Sequence, residues 1–275
     1  MSARSVAAWS AACLFIVLFT SNPAYRVLVL MAAFGTVVAR AGFPRIKPLL
    51  LGVAAIASFD ALLNFVSAHV GGTVLFELPP WLPALGGDYT LEALAYGVAG
   101  GVTIAAAILA AAPFSLLLST DEVVDALPRA LSRTGTAIAA SLNLVPSIGG
   151  SFTEVSEAQR LRGWRPRGLR SLEEIVVPVV LTSVEGSIQL AESMEARGFG
   201  SGPRTLFERP ALRRADRLLV AAAAASVLCF VSARVTGIAT DWYPYPALTM
   251  PALDPLSLLG CALLFTPVLV WRRRS

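Results

Sequence analysis

The sequence is poor in the residues that aqueous catalysis relies on. Its 275 residues hold one histidine, His69, and one lysine, Lys47, and only 15% are charged. The three cysteines, Cys13, Cys229 and Cys261, sit inside apolar stretches with no paired spacing, so they read as small packing residues rather than metal ligands or disulfides. One histidine, placed in an apolar stretch, leaves no Ser/His/Asp arrangement and no His/Cys metal cluster. A phosphate loop needs glycine-rich backbone donors followed by lysine and a hydroxyl. Gly149-Gly150-Ser151 lacks that lysine, and none occurs beyond Lys47. The chain reads as a transmitter rather than an enzyme, with no catalytic residue and no cofactor or metal of its own.

What is abundant is apolar surface: 56% of the residues are hydrophobic. A hydrocarbon core about 30 Å thick needs roughly 20 apolar residues per helix, and several stretches approach that length. The expected fold is therefore an all-α, polytopic membrane bundle of about six transmembrane helices, near 6–20, 25–39, 49–70, 91–118, 218–233 and 255–271. The organisation follows as 1–118 with four spans, a helical cytoplasmic coupling segment over 119–214, and 215–275 with two more spans.

Charge placement orients the bundle. Of the 22 Lys and Arg residues, 13 lie between Arg129 and Arg217, and the connectors 71–90 and 238–254 contain none. Basic residues beside apolar spans mark the cytoplasmic side, so the net charge of +4 reads as topology rather than as a nucleic-acid surface. Both termini are then cytoplasmic in a bacterial inner membrane. Arg26 and Arg234 fall near outer ends, where long cationic side chains snorkel to headgroups. The first apolar run, after Arg4, lacks a small residue three before a cut at Ala24, and so reads as a span rather than a signal peptide.

Asp60 lies mid-span, one helical turn before Asn64. An ionisable residue at that depth is by default a functional hypothesis. No second intramembrane acid, histidine or lysine completes a relay, so Asp60 reads as structural, bonded to Asn64 or to a neighbouring helix. His69 reads as a satisfied polar residue near the outer end of the same span.

The coupling segment contains two helical stretches, 136–162 through Pro146 and 172–197 through Pro178. In the second, Leu181, Val184, Ile188 and Ala191 recur at helical spacing while Glu185, Gln189 and Glu192 share another face, which predicts one buried and one wet side. Both stretches end alike, in Glu157-Ala158-Gln159-Arg160-Leu161-Arg162-Gly163-Trp164 and Glu192-Ser193-Met194-Glu195-Ala196-Arg197-Gly198-Phe199. Glycine supplies the left-handed residue that closes a helix, and Pro166 and Pro203 bar continuation. Each arginine is held in a last turn, where a cation also suits the helix dipole.

These residues resemble the transmembrane T component of energy-coupling factor transporters, relatives of ABC importers. The match is strongest from Pro146 through Glu154, Ala158-Gln159-Arg160-Leu161-Arg162-Gly163 and Pro178 to Ala191-Glu192-Ser193-Met194-Glu195-Ala196-Arg197-Gly198-Phe199 and Pro203-Arg204-Thr205, with Asn22-Pro23 before the second span. Ala196-Arg197-Gly198 fits the family's Ala-Arg-Gly signature, and the first triplet departs from it at Leu161. The resemblance implies that Leu161, Arg162, Gly163, Ala196, Arg197 and Gly198 dock on two cytoplasmic ABC ATPases, with Glu154, Glu157, Glu192 and Glu195 supporting the coupling helices. It also implies that a separate membrane subunit binds the vitamin or metal ion, and that ATP and Mg belong to the ATPases. The competing reading is the permease of a conventional ABC importer, whose Glu-Ala-Ala…Gly loop is approximated by Glu157-Ala158 with Gly163. Gln159 breaks its alanine pair, and that motif leaves the second Arg-Gly end unexplained. A membrane-embedded enzyme would need a cluster of reactive groups, which Asp60 alone does not make.

Overall fold

The computed structural model describes residues 2–79, 86–118, 122, 132–165, 168, 172–199, 213–239 and 241–272, with backbone alone for 132–140, 142, 143 and 270–272. The elements are α1 (Ala3–Phe19), α2 (Pro23–Ala41), α3 (Phe43–Ser67), β1 (Val74–Leu78), β2 (Gly87–Thr90), α4 (Leu91–Leu117), α5 (Ser132–Leu161), α6 (Glu173–Ala196), α7 (Arg214–Val235), α8 (Pro255–Leu264) and α9 (Thr266–Arg272). They form two compact units, Met1–Ser119 with Leu212–Ser275, and Thr120–Ala211.

Polar residues and prolines set the helix starts of the first unit. Ser2, Asn22, Thr90 and Asp254 cap α1, α2, α4 and α8 by accepting the N–H of Ser5, Ala24, Ala93 and Ser257. Pro23 and Pro255 follow their caps at positions where a missing N–H costs nothing. The core lies among α1, α2, α4, α7 and α8, where Trp9, Ile16, Val29, Leu109, Phe230 and Leu264 are buried together with Cys13 and Cys261. Polar ties cross it between distant parts of the chain. Asp216, at the start of α7, accepts the Ser2 N–H at 3.2 Å and the Ser5 hydroxyl at 3.1 Å. The Trp9 indole donates to the Leu264 carbonyl at 3.0 Å.

Helix α3 lies at the rim and packs chiefly on α4. Gly97 and Gly101 make that seam: a Cβ there would stand 2.7 Å from the Ala61 carbonyl oxygen and 2.6 Å from that of Ala57. Small residues four apart let membrane helices approach this closely. Asp60 lies on the same seam, and Asn64 donates to its carbonyl at 3.0 Å and its carboxylate at 3.3 Å, the partner the sequence named.

The all-helical reading holds for the bundle, and each expected span falls on helix. Three details differ. The span expected over 255–271 is two helices broken at Phe265, because Pro267 has no N–H for the Leu263 carbonyl. Connector 71–90 contains an antiparallel hairpin, pairing Phe76 with Tyr89 and stacking their rings at 4.7 Å. Aromatic cross-strand pairs favour such a ladder. His69 follows α3 and packs edge-on against Tyr89, with its Nδ1 buried and without a hydrogen bond rather than satisfied.

Within the second unit α5 packs on α6. The predicted apolar stripe on α6 is open: Leu181, Val184 and Ile188 are 64%, 53% and 54% exposed, and Ala191 is exposed too. The buried side carries Ile175 and Val179, continued by half-buried Ser183 and Ser187. Those serines donate to the carbonyls of Val179 and Ser183 at 2.6 and 2.7 Å, so small polar residues line the inner side without orphaned hydroxyls. By length and composition α6 also joins α2, α3, α4 and α7 among helices able to cross a membrane, although the sequence reading placed it in the aqueous segment.

Candidate docking site at two helix ends

The two Arg-Gly sequences close their helices with one hydrogen-bond pattern. At the end of α5, the Gly163 N–H donates to the Arg160 carbonyl at 3.0 Å and the Trp164 N–H to the Gln159 carbonyl at 2.9 Å. At the end of α6, the Gly198 N–H donates to Glu195 at 2.8 Å and the Phe199 N–H to Met194 at 2.9 Å. Gly163 and Gly198 have φ of +88° and +77°, in the left-handed region that L side chains rarely adopt. Both ends are Schellman closures, with arginine at the last helical position and an aromatic residue two beyond it.

This closure fixes the arginine backbones and leaves their side chains free for a partner. Arg162 and Arg197 are exposed, as are Gly163, Ala196 and Gly198. Leu161 is 91% exposed, so its bulk meets little among the described residues, and the departure from Ala-Arg-Gly leaves the backbone closure unchanged. Glu154, Glu157, Glu192 and Glu195 are exposed as well. Among the described residues the one ion pair is Arg234–Asp241, so none of those glutamates neutralises either arginine. Two guanidinium forks are thereby presented to solvent, each able to hold a carboxylate or several carbonyls. Pro166, Arg167, Arg170 and Pro203-Arg204-Thr205 lie outside the described residues.

Gln159 relates one end to the other. Its side-chain amide donates to the Glu174 carbonyl at 3.5 Å, which sets the end of α5 beside the first turn of α6. The second triplet closes the far end of that 24-residue helix, about 36 Å along its axis. The sequence reading took Gln159 as part of the family match and as a departure from an alanine pair, and Pro178 as a family marker inside the second helix, without relating the two. Pro178 has no N–H to offer Glu174, four residues earlier, and that gap was the available signal.

The family model of CbiQ, described as a cobalt transport protein, matches residues 1–208. The chain belongs to the CbiQ family. No curated protein matches it. The CbiQ match takes in both Arg-Gly ends and stops before α7, and it bears out the resemblance read from those ends. With five helices long and apolar enough to span a bilayer, this CbiQ-family chain is a multi-pass membrane component of a transport system.

Proposed function

We propose that the chain is the energy-coupling subunit of an ATP-driven importer, carrying motion from two cytoplasmic ATPases to a separate membrane subunit that binds the cargo. The observation that carries this reading is the shared closure of α5 and α6, with one exposed arginine at each end. Two equivalent joints, one beside the first turn of α6 and one at the far end of that helix, about 36 Å long, suit two copies of a nucleotide-binding partner better than a single contact would. ATP and Mg bind the ATPases in this scheme, and closure of the ATPase pair moves the two helix ends against each other. The open apolar stripe Leu181, Val184 and Ile188 is then available to the cargo-binding subunit. The cargo is a vitamin or a metal ion, cobalt being the one in the family's description. The bundle sits in a bacterial cell membrane with both termini and the Arg-Gly ends in the cytoplasm, by the placement of Lys and Arg.

Capture of the two ATPases by Arg162→Ala, Arg197→Ala and the double variant tests the proposal, with Arg167→Ala and Arg170→Ala as controls. A buried, charge-assisted hydrogen bond contributes about 1.5–3 kcal/mol, so each single change should weaken association roughly ten- to a hundredfold. The controls should stay within the range of surface substitutions. Equal, mild effects at all four arginines would reduce the triplets to ordinary basic helix ends and favour the conventional permease.

A further inference from the structure

We propose that the hairpin end of the bundle carries a phosphate site built on Arg26 and rimmed by Tyr96, Tyr243 and Tyr245, and that its occupant is the headgroup of a membrane phospholipid. This rests on the first unit alone and is independent of how the ATPases dock.

Arg26 sits in the first turn of α2, half-buried, and its Nε is buried without a hydrogen-bond partner. A guanidinium presents five donors, and a buried donor left unpaired is unfavourable. The other arginine at this end, Arg234, is bound by Asp241 at 2.7 Å, whereas no carboxylate among the described residues pairs with Arg26. Its place in α2 does not explain it either, because a cation near a helix N-terminus opposes the helix dipole. An external anion would satisfy both conditions.

The surroundings point to a headgroup. Helix α2 packs on α4, and Tyr96 lies in the second turn of α4 as Arg26 lies in the first turn of α2. The Tyr96 ring lies 6.1 Å from that of Tyr243 and 5.9 Å from that of Tyr245, which are themselves 5.5 Å apart. Tyr96 and Tyr243 remain 41% and 60% exposed. Tyrosines with open faces and polar tips are characteristic of the level where headgroups lie. The connector is held in place, since Asn22 donates to the Ala252 carbonyl at 2.7 Å and the Trp242 indole to that of Thr249 at 2.8 Å. Glu92, at this end of α4, is already taken, accepting the Thr73 N–H at 3.2 Å and its hydroxyl at 2.8 Å. Arginine with tyrosine hydroxyls matches a phosphodiester, which the fork binds through two oxygens.

The test is native mass spectrometry of the purified full chain titrated with phosphatidylglycerol. The wild type should hold one lipid roughly tenfold or more tighter than Arg26→Gln, by the loss of a charge-assisted pair. Arg26→Lys should restore part of the affinity, Tyr243→Ala at the exposed rim should weaken binding without unfolding, and Arg234→Gln should leave it unchanged. Millimolar inorganic phosphate should fail to displace the lipid; displacement by phosphate alone would make the site one for the free ion and overturn the lipid assignment. Equal lipid affinity in the wild type, Arg26→Gln and Tyr243→Ala would overturn the site. Unchanged lipid affinity with lost co-purification of a partner protein would assign Arg26 to a protein carboxylate instead.

Discussion

The side-chain amide of Gln159 fills a vacancy made by Pro178: it donates at 3.5 Å to the Glu174 carbonyl, which the proline, lacking an N–H, leaves without a helical donor. A helix defect thereby becomes the joint between α5 and α6. The bond is long and exposed, so its strength lies at the low end of the roughly 0.5–1.5 kcal/mol typical of hydrogen bonds.

That relationship gives a double-mutant cycle. Gln159→Ala should weaken ATPase capture by a few-fold. In a Pro178→Ala background, where residue 178 regains its N–H and bonds Glu174 itself, the same change should have almost no effect. Full additivity would show that Gln159 acts elsewhere.

The two closing glycines should respond alike to substitution. At φ near +80°, alanine costs about 1–2 kcal/mol, and asparagine, which visits that region more readily, costs less. A Cβ at Gly163 meets nothing within 4 Å, so the penalty there is conformational rather than steric. Gly163→Ala and Gly198→Ala should each impair ATPase capture while leaving the melting of the bundle unchanged, with Asn variants in between.

The α3–α4 seam should be intolerant of bulk. Gly97→Ala or Gly101→Ala drives a methyl into a backbone carbonyl and should destabilise by about 1–3 kcal/mol, visible as a lower melting temperature in detergent. Gly52, with open space around it, is the control, and Gly52→Ala should be neutral or slightly stabilising. A similar loss at all three positions would refute the seam.

Asp60 should prove structural. Asp60→Asn keeps an acceptor for Asn64 and should retain most transport, whereas Asp60→Leu should lower stability. A well-assembled Asp60→Asn variant with no uptake would place the carboxylate in the mechanism.

Acid should loosen α8 at its start. Burial raises the Asp254 carboxyl, but hydrogen bonds from the Tyr25 hydroxyl at 2.6 Å and the Ser257 N–H at 2.7 Å bring it below its ordinary value of 3.8. A group with a lowered folded pKa stabilises above its unfolded value, and that contribution is lost as pH falls through the folded one. Melting temperature should therefore fall more steeply below pH 4 in the wild type than in Asp254→Asn, which caps without titrating.

The bundle was readable because length and apolarity are local properties, whereas the caps at Asn22-Pro23 and Asp254-Pro255 emerged with the structure. The Arg-Gly ends were readable for the same reason, since glycine and the residues flanking it determine the closure. The inner face of α6 was not. Counting apolar residues selected Leu181, Val184 and Ile188, while the chain buries the face bearing Ser183 and Ser187. In a membrane subunit, apolar side chains serve partners and lipid as readily as the core, so hydrophobicity does not tell inside from outside. The break at Phe265 was available from Pro267, and the Gly97–Gly101 seam from its spacing.

The ties from α1 also set a timetable. Ser2 and Ser5 await Asp216, and Trp9 awaits Leu264, partners 214, 211 and 255 residues downstream. At roughly 5–20 residues synthesised per second, the first helix leaves the ribosome some 10–50 s before its polar inner face is satisfied. During that interval the Ser2 N–H and the Trp9 indole lack their later acceptors, while the Ser5 hydroxyl rests on the Ser2 carbonyl at 2.8 Å, and the whole Arg-Gly segment is made while the bundle is still open. Chains arrested before Arg214 should hold α1 loosely, as a substrate for quality-control proteases. Release at Leu264 should turn it protease-resistant in a single step.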